Sequence, residues 1–141
     1  MLNGYGIEED IRMSIKELST GLQHIGIPTK DIDKSREFYE KLGFEVTYST
    51  TLEENNQKVI FLKLHELILE IYEGDAKMAA GAIDHIALNV TDIDKAYEAV
   101  KEAGLLGNCD GIHFLPFFEN GVKYFSIPGP NCETVEFNQY L

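Results

Sequence analysis

The sequence predicts an α+β fold: two βαβββ modules that form a curved mixed sheet with their helices outside. Three observations carry that expectation. The chain contains an internal duplication, each copy has the same order of elements, and 141 residues suffice for two small halves that share a core.

The duplication aligns without a gap at an offset of 61 residues. Leu22-Gln-His-Ile-Gly-Ile-Pro28 matches Ile83-Asp-His-Ile-Ala-Leu-Asn89, so His24 meets His85. Asp31-Ile-Asp-Lys34 repeats as Asp92-Ile-Asp-Lys95, and Gly43 meets Gly104.

Each copy opens with a short apolar strand. Gln23 to Pro28 is the first. Asp31 or Asp33 then caps a helix. Ile32, Ser35, Phe38, Tyr39 and Leu42 fall on one stripe of that helix, and Gly43 ends it. In the second copy Ile93, Ala96, Tyr97 and Val100 form the stripe, and Gly104 ends it. Three strands follow each helix. Phe44–Ser49, Lys58–Leu64 and Leu67–Tyr72 complete the first copy, with polar Thr51–Gln57 as a hairpin tip. A weak strand near Gly111–Phe114, then Val122–Ile127 and Thr134–Gln139, complete the second. Pro128-Gly-Pro-Asn131 marks the turn between the last two. Neither copy covers both faces of its sheet alone, so the two pack together. The expected organisation is an extension over 1–20, a first module over 21–78 and a second over 79–141. In the extension, Ile7, Ile11, Ile15 and Leu18 recur at helical spacing, as in a short amphipathic helix.

Charge excludes whole classes of partner. The net charge is -12, and Arg12 and Arg36 are the only arginines. Binding to nucleic acid or to an anionic membrane needs a cationic surplus that this chain lacks. No apolar run approaches the roughly 20 residues of a membrane span. The first ten residues have no basic start and no long apolar centre, which leaves a cytoplasmic location as the expectation. Cys109 and Cys132 are too few for a disulfide scaffold and read as free thiols.

Strand alternation selects the candidate chemistry. Residues two apart share a face. Ile25 and Ile27 pack under the first helix, so His24 points to the opposite, concave face; Ile86 and Leu88 place His85 likewise. On the last strand of each copy, Leu69 and Ile71, then Val135 and Phe137, pack outward. Glu70 and Glu136 therefore face inward. Buried carboxylates need a partner, and two His with two Glu offer nitrogen and oxygen donors that neutralise a divalent ion. His65 reads as a surface turn residue. His113, among Ile112, Phe114, Pro116, Phe117 and Phe118, reads more readily as a core residue than as a pocket wall.

These segments resemble the vicinal oxygen chelate superfamily of glyoxalases, bleomycin resistance proteins and dioxygenases. The resemblance covers residues 21–141. It rests on Gln23-His-Ile-Gly-Ile27, Asp31–Phe44, Leu67-Ile-Leu-Glu-Ile71, Asp84-His-Ile-Ala-Leu88 and Gly129–Phe137. It implies a divalent metal (Ni, Co, Zn, Mn or Fe) held by His24, Glu70, His85 and Glu136, with Glu136 also the catalytic base. It implies a homodimer and a small-molecule substrate.

The implied activity is a glyoxalase I-like lyase or isomerase acting through an enediolate on a small 2-oxo or 2-hydroxy substrate. Bacterial glyoxalase I has a glutathione-binding arginine where this chain has Pro28, so the resemblance does not extend to glutathione. Methylmalonyl-CoA epimerases carry a second acid that Glu54, rather than Glu53, would match. A metal-free bleomycin-resistance-like binding protein is a further reading. An extradiol dioxygenase would need more open metal positions than four protein ligands leave.

Overall fold

A computed structural model describes residues 15–18, 20, 22–81 and 83–141. Helix α1 spans Ile15–Leu18. The rest of the expected N-terminal helix, including Ile7 and Ile11, lies outside the described residues. Strand β1 (Ile25–Thr29) leads to helix α2 (Ile32–Lys41) and strands β2 (Glu45–Leu52), β3 (Gln57–Leu64) and β4 (Leu67–Glu73). The second half repeats the order with β5 (His85–Asn89), α3 (Ile93–Glu102), β6 (His113–Leu115), β7 (Val122–Pro128) and β8 (Thr134–Tyr140).

The strands form two four-stranded sheets, ordered β1-β4-β3-β2 and β5-β8-β7-β6. In each, the first strand runs parallel to the last and the other pairings are antiparallel. The mixed sheet expected of the fold is present as two four-stranded halves, one per module. A parallel strand reached through a helix ends at the sheet edge, and each half closes its own ladder there.

The helix boundaries follow from named residues. Asp31 and Asp92 are the N-caps, accepting from the backbone N–H of Lys34 and Lys95 at 3.1 Å. Both helices end in the same two-bond C-terminal motif. In α2, Gly43 donates to the Glu40 carbonyl and Phe44 to that of Tyr39; in α3, Gly104 donates to Lys101 and Leu105 to Val100. The motif needs a left-handed residue, and Gly43 supplies it at φ +100°. The Phe44 ring meets the Tyr39 ring edge-on at 5.3 Å. Tyr39, Leu62, Leu69, Ile71, Phe125, Ile127 and Val135 form the driest part of a core that draws on both halves.

A polar cluster joins the halves. Asn131, in the β7–β8 turn, donates its side-chain amide to Thr29 Oγ1 at 2.9 Å and to Ser35 Oγ at 3.1 Å. Its Oδ1 accepts from the Lys30 backbone N–H at 3.1 Å. The Tyr39 hydroxyl donates to Glu133 Oε2 at 3.1 Å, and Glu133 Oε1 accepts from the Asn131 N–H at 2.8 Å. Burial, then the Glu133 carboxylate, holds the Tyr39 phenol well above its ordinary pKa. The repeat explains why this contact is one-sided. Thr29, Ser35 and Tyr39 are polar in the first copy, while their equivalents Val90, Ala96 and Val100 are apolar.

Gly121 shapes the β6–β7 turn. It sits at φ +88°, and an added Cβ would overlap the Phe114 ring and come within 3.0 Å of the Leu115 carbonyl oxygen. Gly121→Ala is therefore expected to cost about 1–2 kcal/mol for the left-handed backbone alone. A thermal melt checks it: an unchanged midpoint would mean that the turn relaxes freely.

Candidate metal centre

The sequence places a histidine just before or at the start of the parallel strand in each half. The sheet register then decides which acid it meets. Gly26 pairs with Glu70 and Ala87 pairs with Glu136. His24 and His85 lie two residues earlier on the same faces, diagonal to those acids. His24 Nε2 stands 3.2 Å from Glu70 Oε2, and His85 Nε2 stands 3.9 Å from Glu136 Oε1. The small residues opposite the acids leave room above the strand. All four side chains keep some exposure, with Glu136 the most covered at 14%.

Both rings are also anchored from behind. His24 Nδ1 is 3.0 Å from Gln23 Oε1, and His85 Nδ1 is 2.9 Å from Asp84 Oδ2. A ring that donates from Nδ1 to an oxygen presents Nε2 as a metal donor, and such an outer partner fixes its orientation. Two ligands at right angles on a divalent ion, with bonds of about 2.1 Å, stand about 3 Å apart. The His24–Glu70 spacing fits that arrangement. The His85–Glu136 spacing is wider and fits a larger angle at the ion. The donor set thus suits a divalent cation, as two half-sites.

The structure brings His24 to Glu70 and His85 to Glu136. It does not bring the two pairs together: among the described residues, no three His, Cys, Asp or Glu side chains converge. A cavity of about 410 Å³ lies between β1, residues 75–81 and 83–84, and the starts of β5 and β8. It takes in His85 but not His24, Glu70 or Glu136, so it adjoins the half-sites rather than enclosing them.

Glu54 lies in the exposed β2–β3 hairpin tip. Gln57, which opens β3 beyond the tip, is four positions along that strand from Phe61, the residue paired with Glu70. His65 is an exposed turn residue, as expected.

His113 is corrected. It is half-exposed on β6 and pairs with Tyr124, which pairs with Asn138 on β8. That puts it on the same face as Glu136, because the backbone pairing outweighs the apolar neighbours in sequence. Alternation along the last strand puts Asn138 on the same face as Glu136 but gives it no role; its amide donates to Glu136 Oε2 at 3.2 Å. Sequence reasoning missed Gln23 and Asp84, although the repeat aligns them directly before each histidine.

The model of the glyoxalase/bleomycin resistance protein/dioxygenase superfamily matches residues 21–111. This chain belongs to that superfamily. The uncharacterized protein YwbC of Bacillus subtilis (strain 168) is 32% identical over 124 residues, covering 84% of this chain and 96% of its own. The glyoxalase family protein from Enterococcus faecalis superposes with a TM-score of 0.73 at 25% identity, over 86% of this chain and 98% of that one. A fosfomycin resistance protein, FosX from Listeria monocytogenes, complexed with Mn(II) and sulfate, shares the fold. Its TM-score is 0.67 at 21% identity, over 87% of this chain and 94% of that one. Superfamily membership fits the paired halves and the His–Glu register. Among the described residues, no helix is long and apolar enough to cross a membrane.

Proposed function

We propose that this chain is a divalent-metal-dependent lyase or isomerase that moves a proton on a small 2-oxo or 2-hydroxy substrate through an enediolate. The observation that carries this reading is the pair of matched half-sites. Each has a histidine anchored at Nδ1 and turned through Nε2 toward a carboxylate. FosX, on the same fold, is complexed with Mn(II). His24, Glu70, His85 and Glu136 would hold the ion. Because each sheet carries only half of the set, the two halves of a site come from two copies in a homodimer.

A divalent ion bound there supplies Lewis acidity that polarises a substrate carbonyl. The chain's own residues do the rest. Asn138 holds Glu136 Oε2 and leaves Oε1 on the His85 side. Glu136 accepts the proton from the carbon next to the carbonyl and returns it to the neighbouring carbon. Phe61 and Tyr48 stand beside His24 in a row of ring contacts at 5.8 and 6.1 Å and give the site an aromatic wall. Pro28 stands where a glutathione-binding arginine would be expected. Glu54, at the hairpin tip, would serve as a second acid only for a substrate that reaches along β3.

The test is solvent exchange. Protein loaded with nickel, cobalt or manganese is expected to exchange deuterium from D2O into hydroxyacetone at the carbon next to the carbonyl, followed by NMR. Glu136→Gln is expected to slow it at least about a hundredfold, the usual scale of general-base catalysis. A metal-loaded protein that exchanges nothing in hydroxyacetone or in a wider panel of 2-hydroxycarbonyl compounds would remove the enzyme reading. It would favour a bleomycin-resistance-like binding protein.

A further inference from the structure

The two half-sites match at the metal donors but differ one row along the sheet. In the first sheet that row holds Pro28, Tyr72, Val59 and Thr50; in the second it holds Asn89, Asn138, Tyr124 and His113. We propose that His113, braced by Asp110 and Tyr124, is a specificity-determining residue that binds a distal hydrogen-bonding group of the substrate. This deepens the metal-site reading and rests on it.

Contacts run unbroken from the metal pair to His113. Glu136 takes a hydrogen bond from Asn138, Asn138 pairs across the ladder with Tyr124, and the His113 ring lies on the Tyr124 ring at 5.5 Å, tilted by 32°. His113 Nε2 is 2.7 Å from Asp110 Oδ1. A carboxylate only accepts, so Nε2 carries the hydrogen of this bond. The ring is tied at one nitrogen and rests at a tilt against Tyr124. Its other nitrogen, Nδ1, is left as an acceptor in the neutral ring. A half-exposed histidine has no structural need for two such restraints. They make sense for a group that receives a ligand.

Geometry and charge limit the ligand. His113 lies two strands from Glu136 and one row along, on the order of 10 Å away by strand spacing and rise. A three-carbon substrate held at the metal falls short; a substrate of six or more carbons reaches. An Nδ1 acceptor beside the Asp110 carboxylate, in a chain of net charge -12, selects a hydroxyl or an amine. A carboxylate or phosphate at that end is disfavoured. The substrate class is a 2-hydroxy or 2-oxo compound with a terminal donor group.

The experiment uses the full chain loaded with Mn(II), with metal affinity measured first. Binding of 2-hydroxyalkanoates of four to eight carbons is then compared with that of their ω-hydroxy counterparts by calorimetry. Wild type is expected to favour the ω-hydroxy compound about tenfold at one of the longer lengths, the worth of one hydrogen bond. His113→Ala and Tyr124→Ala are expected to lose that preference with Mn(II) affinity unchanged. His113→Gln, which keeps an acceptor, is expected to recover part of it. Mn(II) bound with no preference at any length, or a preference that survives His113→Ala, overturns the inference and leaves the metal reading standing. A wild-type chain that binds no Mn(II) overturns both.

Discussion

Alanine at His24 or at His85 is expected to leave each purified variant with almost no bound divalent ion, while a mixture of the two regains about a quarter of the wild-type sites. The arithmetic follows from two half-sites meeting across a dimer. In the proposed dimer, one site would take His24 and Glu70 from one copy and His85 and Glu136 from the other, and the second site would reverse the roles. In a mixed dimer, one site lacks both histidines and the other lacks neither. Half of the dimers in a random mixture are mixed, and each has one intact site of two. Elemental analysis after mild unfolding, mixing and refolding reads the result. A four-ligand site within one chain gives no recovery, because every copy lacks a histidine. The prediction therefore separates a shared site from a private one, and the loss in each single variant tests the ligand assignment. Glu70→Gln should behave as His24→Ala does, since the two sit on one sheet 3.2 Å apart.

Much of this was legible because it is periodic. Helix stripes, caps and terminal glycines sit where spacing put them, and Asp31 rather than Asp33 caps α2. Alternation along β1, β4, β5 and β8 separated Leu69 and Ile71 from Glu70, and Val135 and Phe137 from Glu136. Alternation gives the face of a residue but says nothing about which sheet faces which. The sequence therefore left open whether one chain or two complete the set of four candidate ligands, which stand as two pairs in the chain. His113 was misread for a related reason. Its neighbours Ile112, Phe114 and Phe117 suggest burial, yet the β6–β7 register turns it to the open face. Local composition is a weak guide in a three-residue edge strand. Gln23 and Asp84 carried a usable signal, since the residue before each histidine bears an oxygen in both copies.

The contact between the halves makes the second large prediction. Asn131 is 7% exposed and makes three hydrogen bonds across the halves. Asn131→Ala removes them all. Thr29 and Ser35 keep their own bond at 2.7 Å, so their hydroxyls are partly satisfied. The Lys30 N–H loses its acceptor, and a small polar void remains. The three lost bonds, the part-buried Lys30 N–H included, cost about 1 kcal/mol each. A total of about 3 kcal/mol corresponds to a fall of roughly 10 °C in Tm for a chain of this size. Cys132→Ser, next door and exposed, is the control and should stay within about 0.5 kcal/mol. Calorimetry decides between them, and equal melting points would show that the turn does not hold the halves together. The loss should also reach the metal centre. The same turn leads into β8, which carries Glu136, and Glu133 within it is tied to Tyr39 of the first half. Mn(II) affinity is therefore expected to fall in Asn131→Ala even at temperatures where the protein is fully folded. It should fall less in Tyr39→Phe, which deletes one bond and leaves the Asn131 amide in place.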